Sequence, residues 1–370
     1  MTCPDCGVAL GRPPLVAVTH STLGRLPLFR ENLRACVRAL LAAGADPNQS
    51  WTYENCPLSA LYGAAGLSQD PETTRALLAA GATPNDGESL YHSLEGPNLD
   101  CTRLLLEAGT RVEGTNALHH VLDSDNLEGL RLLLAYTKDP DDLSSSLGTP
   151  LLWALRRGRS PAHVEALLVA GANPHARTKD GVTAYRQALR FGLVDAAEAL
   201  AKAGAREDLE PDEQFVAACA RADRSEAERL LAATPDLVSK LSPAHLHQLP
   251  NLVETGNVAA VRLMVELGWP IAVRGGDWSA SALNLAVFRG DADLTRFLLE
   301  RGARWTEFHG HNDNVNGTLS WASRNRPGGR GDWVGCAKAL VDHGLPLDQA
   351  DRGYGDDVTA FFAAERAKRP

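Results

Sequence analysis

The chain has 370 residues, a formal net charge of −9, 44% hydrophobic residues and 22% charged residues. That composition is ordinary for a folded protein and excludes a chain dominated by disorder. The acidic balance argues against nucleic acid as a partner, because phosphates are neutralised by a basic surface, and without a run of 18 apolar residues no transmembrane helix and no membrane partner are expected.

Residues 1–12 read as an N-terminal tail. Met1-Thr2-Cys3-Pro4-Asp5-Cys6 lacks the basic stretch followed by an apolar one that marks a secretory signal. Cys3 and Cys6 form one C-x-x-C pair and are weak metal candidates, since a zinc ribbon needs a second such pair at suitable spacing. The next cysteine, Cys36, falls inside a helical pattern. The seven cysteines are scattered through mostly apolar stretches, which suits free thiols in a reducing compartment and a cytoplasmic location. One isoleucine (Ile271) and six lysines against thirty-one arginines suggest a GC-rich, bacterial genome. Arginine abundance by itself therefore says little about function.

From residue 13 onward two motifs alternate. One is Leu-Leu, a short spacer and Gly-Ala, seen at Leu40-Leu41-Ala42-Ala43-Gly44-Ala45-Asp46-Pro47-Asn48 and again at Leu77-Leu78-Ala79-Ala80-Gly81-Ala82-Thr83-Pro84-Asn85. It returns at Leu167 to Pro174 and at Leu298 to Ala303. The other is clearest as Thr149-Pro150-Leu151-Leu152-Trp153-Ala154, with weaker copies at Asn116 to Val121 and Ser281 to Ala286. Together they resemble the ankyrin repeat, whose T-P-L-H-x-A signature recurs near every 33 residues. Ten repeats are expected over residues 13–357, starting near 13, 56, 88, 116, 149, 183, 213, 247, 281 and 317. A half-repeat over 358–370, Thr359-Ala360-Phe361-Phe362 with a charged tail, is expected to cap the array. The implied fold class is an all-α ankyrin-repeat solenoid of stacked helix-turn-helix units with loop fingers.

Within a repeat the pattern is explicit. Leu283, Ala286 and Val287 recur at i, i+3 and i+4, and Leu294, Phe297 and Leu298 do so in the following helix. Gly290 and Asp291 separate the two, and Gly302 suits a left-handed C-cap. Only His119 matches the motif histidine. Its replacement by Ser59, Tyr91, Asn284 and Ser320 is expected to weaken individual repeats. The acidic, proline-containing stretch at 205–213 reads either as a hinge between two blocks or as a solvated turn. In the later half, Phe215-Val216-Ala217-Ala218-Cys219 and Arg274-Gly275-Gly276-Asp277-Trp278 resemble bacterial ankyrin proteins.

The resemblance implies an interaction role, with contacts made on a concave face by loop tips and the ends of first helices. Carried over by register, the positions include Glu95, Asp123, Ser124, Glu254 and Arg324. Arg156, Arg157, Arg190 and Arg221 also fall in this set, with Phe191 beside Arg190. With helix pairs spaced on the order of 10 Å apart, these arginines are expected to form a basic stripe for an acidic peptide or protein edge. Trp278, Phe288 and Arg289 form a second expected patch of the residue types that dominate hot spots. Trp51 and Tyr53 form an aromatic pair on an earlier finger.

His309-Gly310-His311-Asn312-Asp313 resembles the H-x-H-x-D-H motif of metallo-β-lactamase-like hydrolases but ends in Asn314 where that motif has histidine. His309 and His311 are therefore weak metal candidates, and no cofactor is implied. The glycine-rich Pro327-Gly328-Gly329-Arg330-Gly331 lacks the lysine of a phosphate loop. The leading expectation is a non-catalytic scaffold that holds a protein or peptide on its concave face. Two other functions stay open at this stage: a regulator or inhibitor of a partner enzyme, using the same surface, and a metal-dependent enzyme built on the 305–318 finger.

Overall fold

Helices fill the computed structural model, and among the described residues strands are confined to two short hairpins. Residues 11–143, 145–349 and 352–368 are described, so Cys3 and Cys6 lie outside the described residues. The chain divides into two compact units, one running to Ala184 with Ala199–Ala205, the other made of Tyr185–Glu198 and the chain from Arg206.

In the first unit, antiparallel helix pairs follow one another: Pro14–Thr19 with Pro27–Ala42, Ser89–Ser93 with Asp100–Glu107, Ala117–Asp123 with Leu127–Leu134, and Pro150–Arg156 with Pro161–Val169. The Thr-Pro motif explains why the last of these starts where it does. Pro150 supplies a preset φ at the first helical position, and Thr149 Oγ1 accepts a hydrogen bond from Leu152 N at 3.3 Å. Leu151, Ala154 and Leu155 are fully buried, with the small alanine allowing close approach of the neighbouring repeat. Ser50–Tyr53 and Cys56–Ser59 pair as an antiparallel hairpin whose turn residues, Glu54 and Asn55, both have positive φ.

In its first two copies, the Pro-Asn that closes the repeated motif stitches one loop to the next. Asn48 Oδ1 accepts from Thr83 N at 2.8 Å while its amide donates to Gly81 O. Asn85 Oδ1 accepts from Arg111 N at 2.8 Å and its amide reaches Gly109 O. These bonds satisfy backbone groups that a turn would otherwise leave open.

The second unit pairs Pro211–Ala220 with Arg224–Ala233, Gln248–Glu254 with Val258–Glu266, Ala282–Arg289 with Ala292–Glu300, and Val315–Asn325 with Trp333–Asp342. The helix Asp356–Ala367 follows and buries Val358 and Phe362. Gly302 ends its helix at φ 99°, a conformation costly for any side chain, and Ala303 N then reaches back to Leu298 O at 3.0 Å.

The motif-histidine position is filled differently from repeat to repeat. His119 Nε2 bonds Gly148 O at 2.9 Å. Asn284 serves a related purpose, donating to Glu307 O in the next finger at 3.3 Å and accepting from Thr318 Oγ1 at 2.8 Å. Ser320 donates to Arg352 O and Gly353 O at 3.0 Å. Ser59 instead caps the helix Ala60–Tyr62, accepting from Tyr62 N at 2.8 Å as Ser281 does for Ala282–Arg289, so it fills the motif's threonine position and Tyr62 the histidine position. At Asn284 and Ser320 a short polar side chain thus bonds the following loop in place of the imidazole.

Of the described cysteines, Cys101, Cys219 and Cys336 are buried, Cys56 is half-buried and Cys36 is exposed. Burial pushes the Cys219 and Cys336 thiols up to about 12, which suits inert core packing.

Candidate functional site

Two fingers of the second unit build the site. Arg274–Gly275 pairs with Ala280–Ser281, and the connecting turn carries Trp278. Gly276 N donates to Asn251 Oδ1 at 3.1 Å, tying this hairpin to the helix Gln248–Glu254. Ser281 then caps Ala282–Arg289, which presents Phe288 near its end. The next finger closes with a bridge between Phe308 and Asn314 and a 2.9 Å bond from His309 N to Asp313 O. Asn314 accepts from Asn316 N and Gly317 N and so starts the helix Val315–Asn325, which carries Trp321.

The fingers lock together at Gly310. Its N–H donates to Trp278 O at 2.8 Å, and a Cβ at this position would stand only 2.7 Å from that oxygen. The sequence around His309 that resembles a metal motif is thus a tight turn docked on Trp278.

A cleft of about 680 Å³ lies here, lined by Trp278, Phe288, His309, His311 and Trp321, with Asp277 and Asp313 also on its wall. Trp278 meets Phe288 at 5.5 Å between centroids and His309 edge-on at 4.9 Å. Phe288 stacks on Trp321 at 5.5 Å with their planes 10° apart. Trp321 is 48% exposed, unusual for so large an apolar surface. Asp313 Oδ1 accepts from Arg352 Nη1 at 2.5 Å and from Asn314 N.

His309 is buried, which lowers its pKa below the ordinary histidine value against the opposing pull of Asp313. Its Nδ1 accepts from His311 N at 3.2 Å, which places the proton of the neutral ring on Nε2. A Zn ligand set also requires a third or fourth donor at this point. Among the described residues no group of three or more His, Cys, Asp or Glu side chains is placed to hold a metal ion.

The expected basic stripe needs correction at its middle. Arg190 and Phe191 are both buried. Arg190 Nε donates to Glu213 Oε2 at 3.0 Å and its Nη2 to Glu213 Oε1, and His245 Nε2 lies 3.2 Å from the same carboxylate. An arginine fork facing a carboxylate in the first turn of a helix is a structural pair, so neither Arg190 nor Phe191 is a surface contact. Arg157 stacks over Trp153 at 4.4 Å and donates to Asp123 Oδ1 at 2.7 Å. Arg156 is half-buried at the end of the same helix. Arg221 lies 3.9 Å from Asp223.

Arg289 is also turned to other use: its Nη1 donates to Glu254 O at 3.0 Å, on the preceding repeat. Trp51 and Tyr53 lie 5.7 Å apart on the first-unit hairpin, and the Arg12 guanidinium covers Trp51 at 3.9 Å.

Trp321 is the functional candidate that sequence reasoning missed. It directly precedes the motif alanine, as Trp153 does, and Trp153 is 6% exposed. The position alone therefore signals core. Only the identity of its neighbours distinguishes the two.

A helix, a tight turn, an antiparallel second helix and a projecting finger recur through both units. The fold is the ankyrin-repeat fold.

No protein-family model matches the chain, and no curated protein matches it. Among solved structures it is similar to the ankyrin repeat domain of human ASB11, at 21% identity over 62% of this chain and 98% of that one, with a TM-score of 0.29. An ankyrin repeat domain from Acinetobacter baumannii AYE gives 24% identity over 52% of this chain and 98% of that one, with a TM-score of 0.44. The ankyrin repeat domain of Bcl-3 gives 22% over 56% and 94%, with a TM-score of 0.25. No helix among the described residues is long and apolar enough to cross a membrane.

Proposed function

We propose that the chain is a non-catalytic protein-binding scaffold and that the second unit grips its partner in the cleft between the Trp278 and His309 fingers. One observation carries this reading. Trp278, Phe288 and Trp321 form a continuous aromatic wall, with Trp321 half-exposed beside two fingers locked by the Gly310 bond. Such a wall offers much contact area from few rotatable bonds, the property that makes aromatic residues interface anchors. The face concerned is the one that the ankyrin resemblance makes the contact face. The role of His309 in this reading is to support Trp278, since its Nδ1 is already occupied and its ring packs edge-on against the indole.

The partner is expected to be a protein segment that inserts a side chain into the cleft. A photo-crosslinking residue placed at position 321 of the full chain tests this in cells of its source. One discrete protein should be trapped there, and Trp278→Ala should reduce the trapping by about tenfold, a loss typical of an interface anchor. A probe at Val169, which is 88% exposed, supplies the comparison. Equal trapping at both positions, or trapping indifferent to Trp278→Ala, would overturn the reading.

A further inference from the structure

Trp153 and Trp321 occupy the same position of their repeats, each one residue before the motif alanine and each facing a residue from the repeat before it. Their surroundings differ in an informative way. Trp153 Nε1 donates to Asp123 Oδ1 at 3.0 Å, and the Arg157 guanidinium, four residues on, lies 4.4 Å over its ring. The same carboxylate oxygen accepts from Arg157 Nε at 2.7 Å. Indole, guanidinium and carboxylate bond one another, and Trp153 is left 6% exposed.

At the equivalent place in the second unit the set is incomplete. Position 325, the counterpart of Arg157, is an asparagine whose amide turns back to Trp321 O at 2.8 Å. Phe288 takes the place of Asp123 and stacks on Trp321 at 5.5 Å. No arginine covers the indole among the described residues, and Trp321 stays 48% exposed. Asp277 and Asp313 line the same cleft, Asp313 being paired with Arg352.

We infer that the cleft receives an arginine side chain of the partner, its guanidinium stacking on Trp321 as that of Arg157 stacks on Trp153. The inference rests on the protein-binding reading above and names the chemistry it captures. Three features suit that occupant. The π-faces of Trp321 and Trp278 attract a cation. A planar guanidinium fits a flat indole face better than a tetrahedral ammonium. The chain net charge of −9 favours a basic segment over the acidic one expected from the arginine stripe. His309, with its proton on Nε2, adds a donor suited to a peptide carbonyl beside that arginine.

The test uses the full chain, with each of its seven tryptophan indoles observed by nitrogen-15 NMR and the Trp321 signal identified by its loss in Trp321→Phe. Acetyl-Gly-Arg-Gly-amide is titrated against its citrulline and lysine counterparts. The Trp321 indole should respond to the arginine peptide about tenfold more tightly than to neutral citrulline, the scale of a desolvated cation–π contact. Asn325→Arg restores the first unit's own arrangement on an exposed helix position. It should weaken the peptide response by a similar factor, because the new guanidinium occupies the indole. Equal responses to arginine and citrulline, or to arginine and lysine, would overturn the inference, as would a Trp321 signal that moves with none of them. Crosslinking at 321 that persists alongside such a negative titration removes only the guanidinium. Loss of crosslinking alongside a positive titration removes only the protein partner.

Discussion

Asn284 sits where the ankyrin motif carries histidine, and it is fully buried. Its amide and carbonyl join Ser281, Glu307 and Thr318, so three elements share one side chain. Asn284→Ala would leave the Glu307 carbonyl without its side-chain partner and the Thr318 hydroxyl only a 3.4 Å contact to Asn314 O. Stability should fall by about 1–3 kcal/mol, the cost of stranding buried polar groups. A lower urea midpoint with an unchanged slope would register this; a loss under about 0.5 kcal/mol would mean that water or a neighbour takes over the bonds. At this scale the sequence is an uneven guide. Trp278 and Phe288 were legible as a pair because register puts a loop tip over a helix end. Trp321 was not, because Trp-Ala at the motif position reads as core, and Trp153 shows that it can be. Arg190 was misread for the opposite reason: helix ends normally face solvent, and nothing in the spacing tells that Glu213 lies opposite.

At the scale of elements, that Arg190–Glu213 pair joins the helix Ala184–Arg190 to Pro211–Ala220, and His245 brings in the short helix Pro243–Leu246. Burial alone would raise the Glu213 carboxyl, but hydrogen bonds from His245 and Arg190 outweigh it and hold the group at about 2. A carboxyl depressed in the folded state contributes stability that is complete above its ordinary value of 4.5 and is lost as pH falls toward about 2. Glu213→Gln should therefore lower stability at neutral pH by about 3–5 kcal/mol, because it strands a buried guanidinium. The variant and the parent should converge as pH falls through that window, as followed by urea titrations at each pH. A gap that stays constant down to the lowest pH would show that packing, not charge, sets the effect. The helix pairs themselves were legible in the sequence, since Thr-Pro caps and Gly-Ala stops fix where they begin and end. The short helices Leu237–Lys240 and Pro243–Leu246 were not, because four-residue turns carry no apolar period to read.

At the largest scale, a helix pair with one apolar face is stable only through its neighbours, so within each unit damage should spread by adjacency and fade with distance. Trp333 offers a sharp test. It is 1% exposed, and its helix, Trp333–Asp342, packs against Ala292–Glu300, Val315–Asn325 and Asp356–Ala367. Trp333→Ala should cost about 3–5 kcal/mol locally through the lost burial and the space left behind. Because Trp333 is held wholly within the second unit, its removal acts first on contacts internal to that unit. Native-state hydrogen exchange should then speed up in those four helices, while amides of Pro14–Thr19 and Pro27–Ala42 keep their protection. Uniform acceleration in every helix would instead mark a single cooperative unfolding unit, and the nearest-neighbour description would fail. The distinction bears on binding as well: Trp321 lies in one of the four helices, so Trp333→Ala should loosen the wall of the cleft.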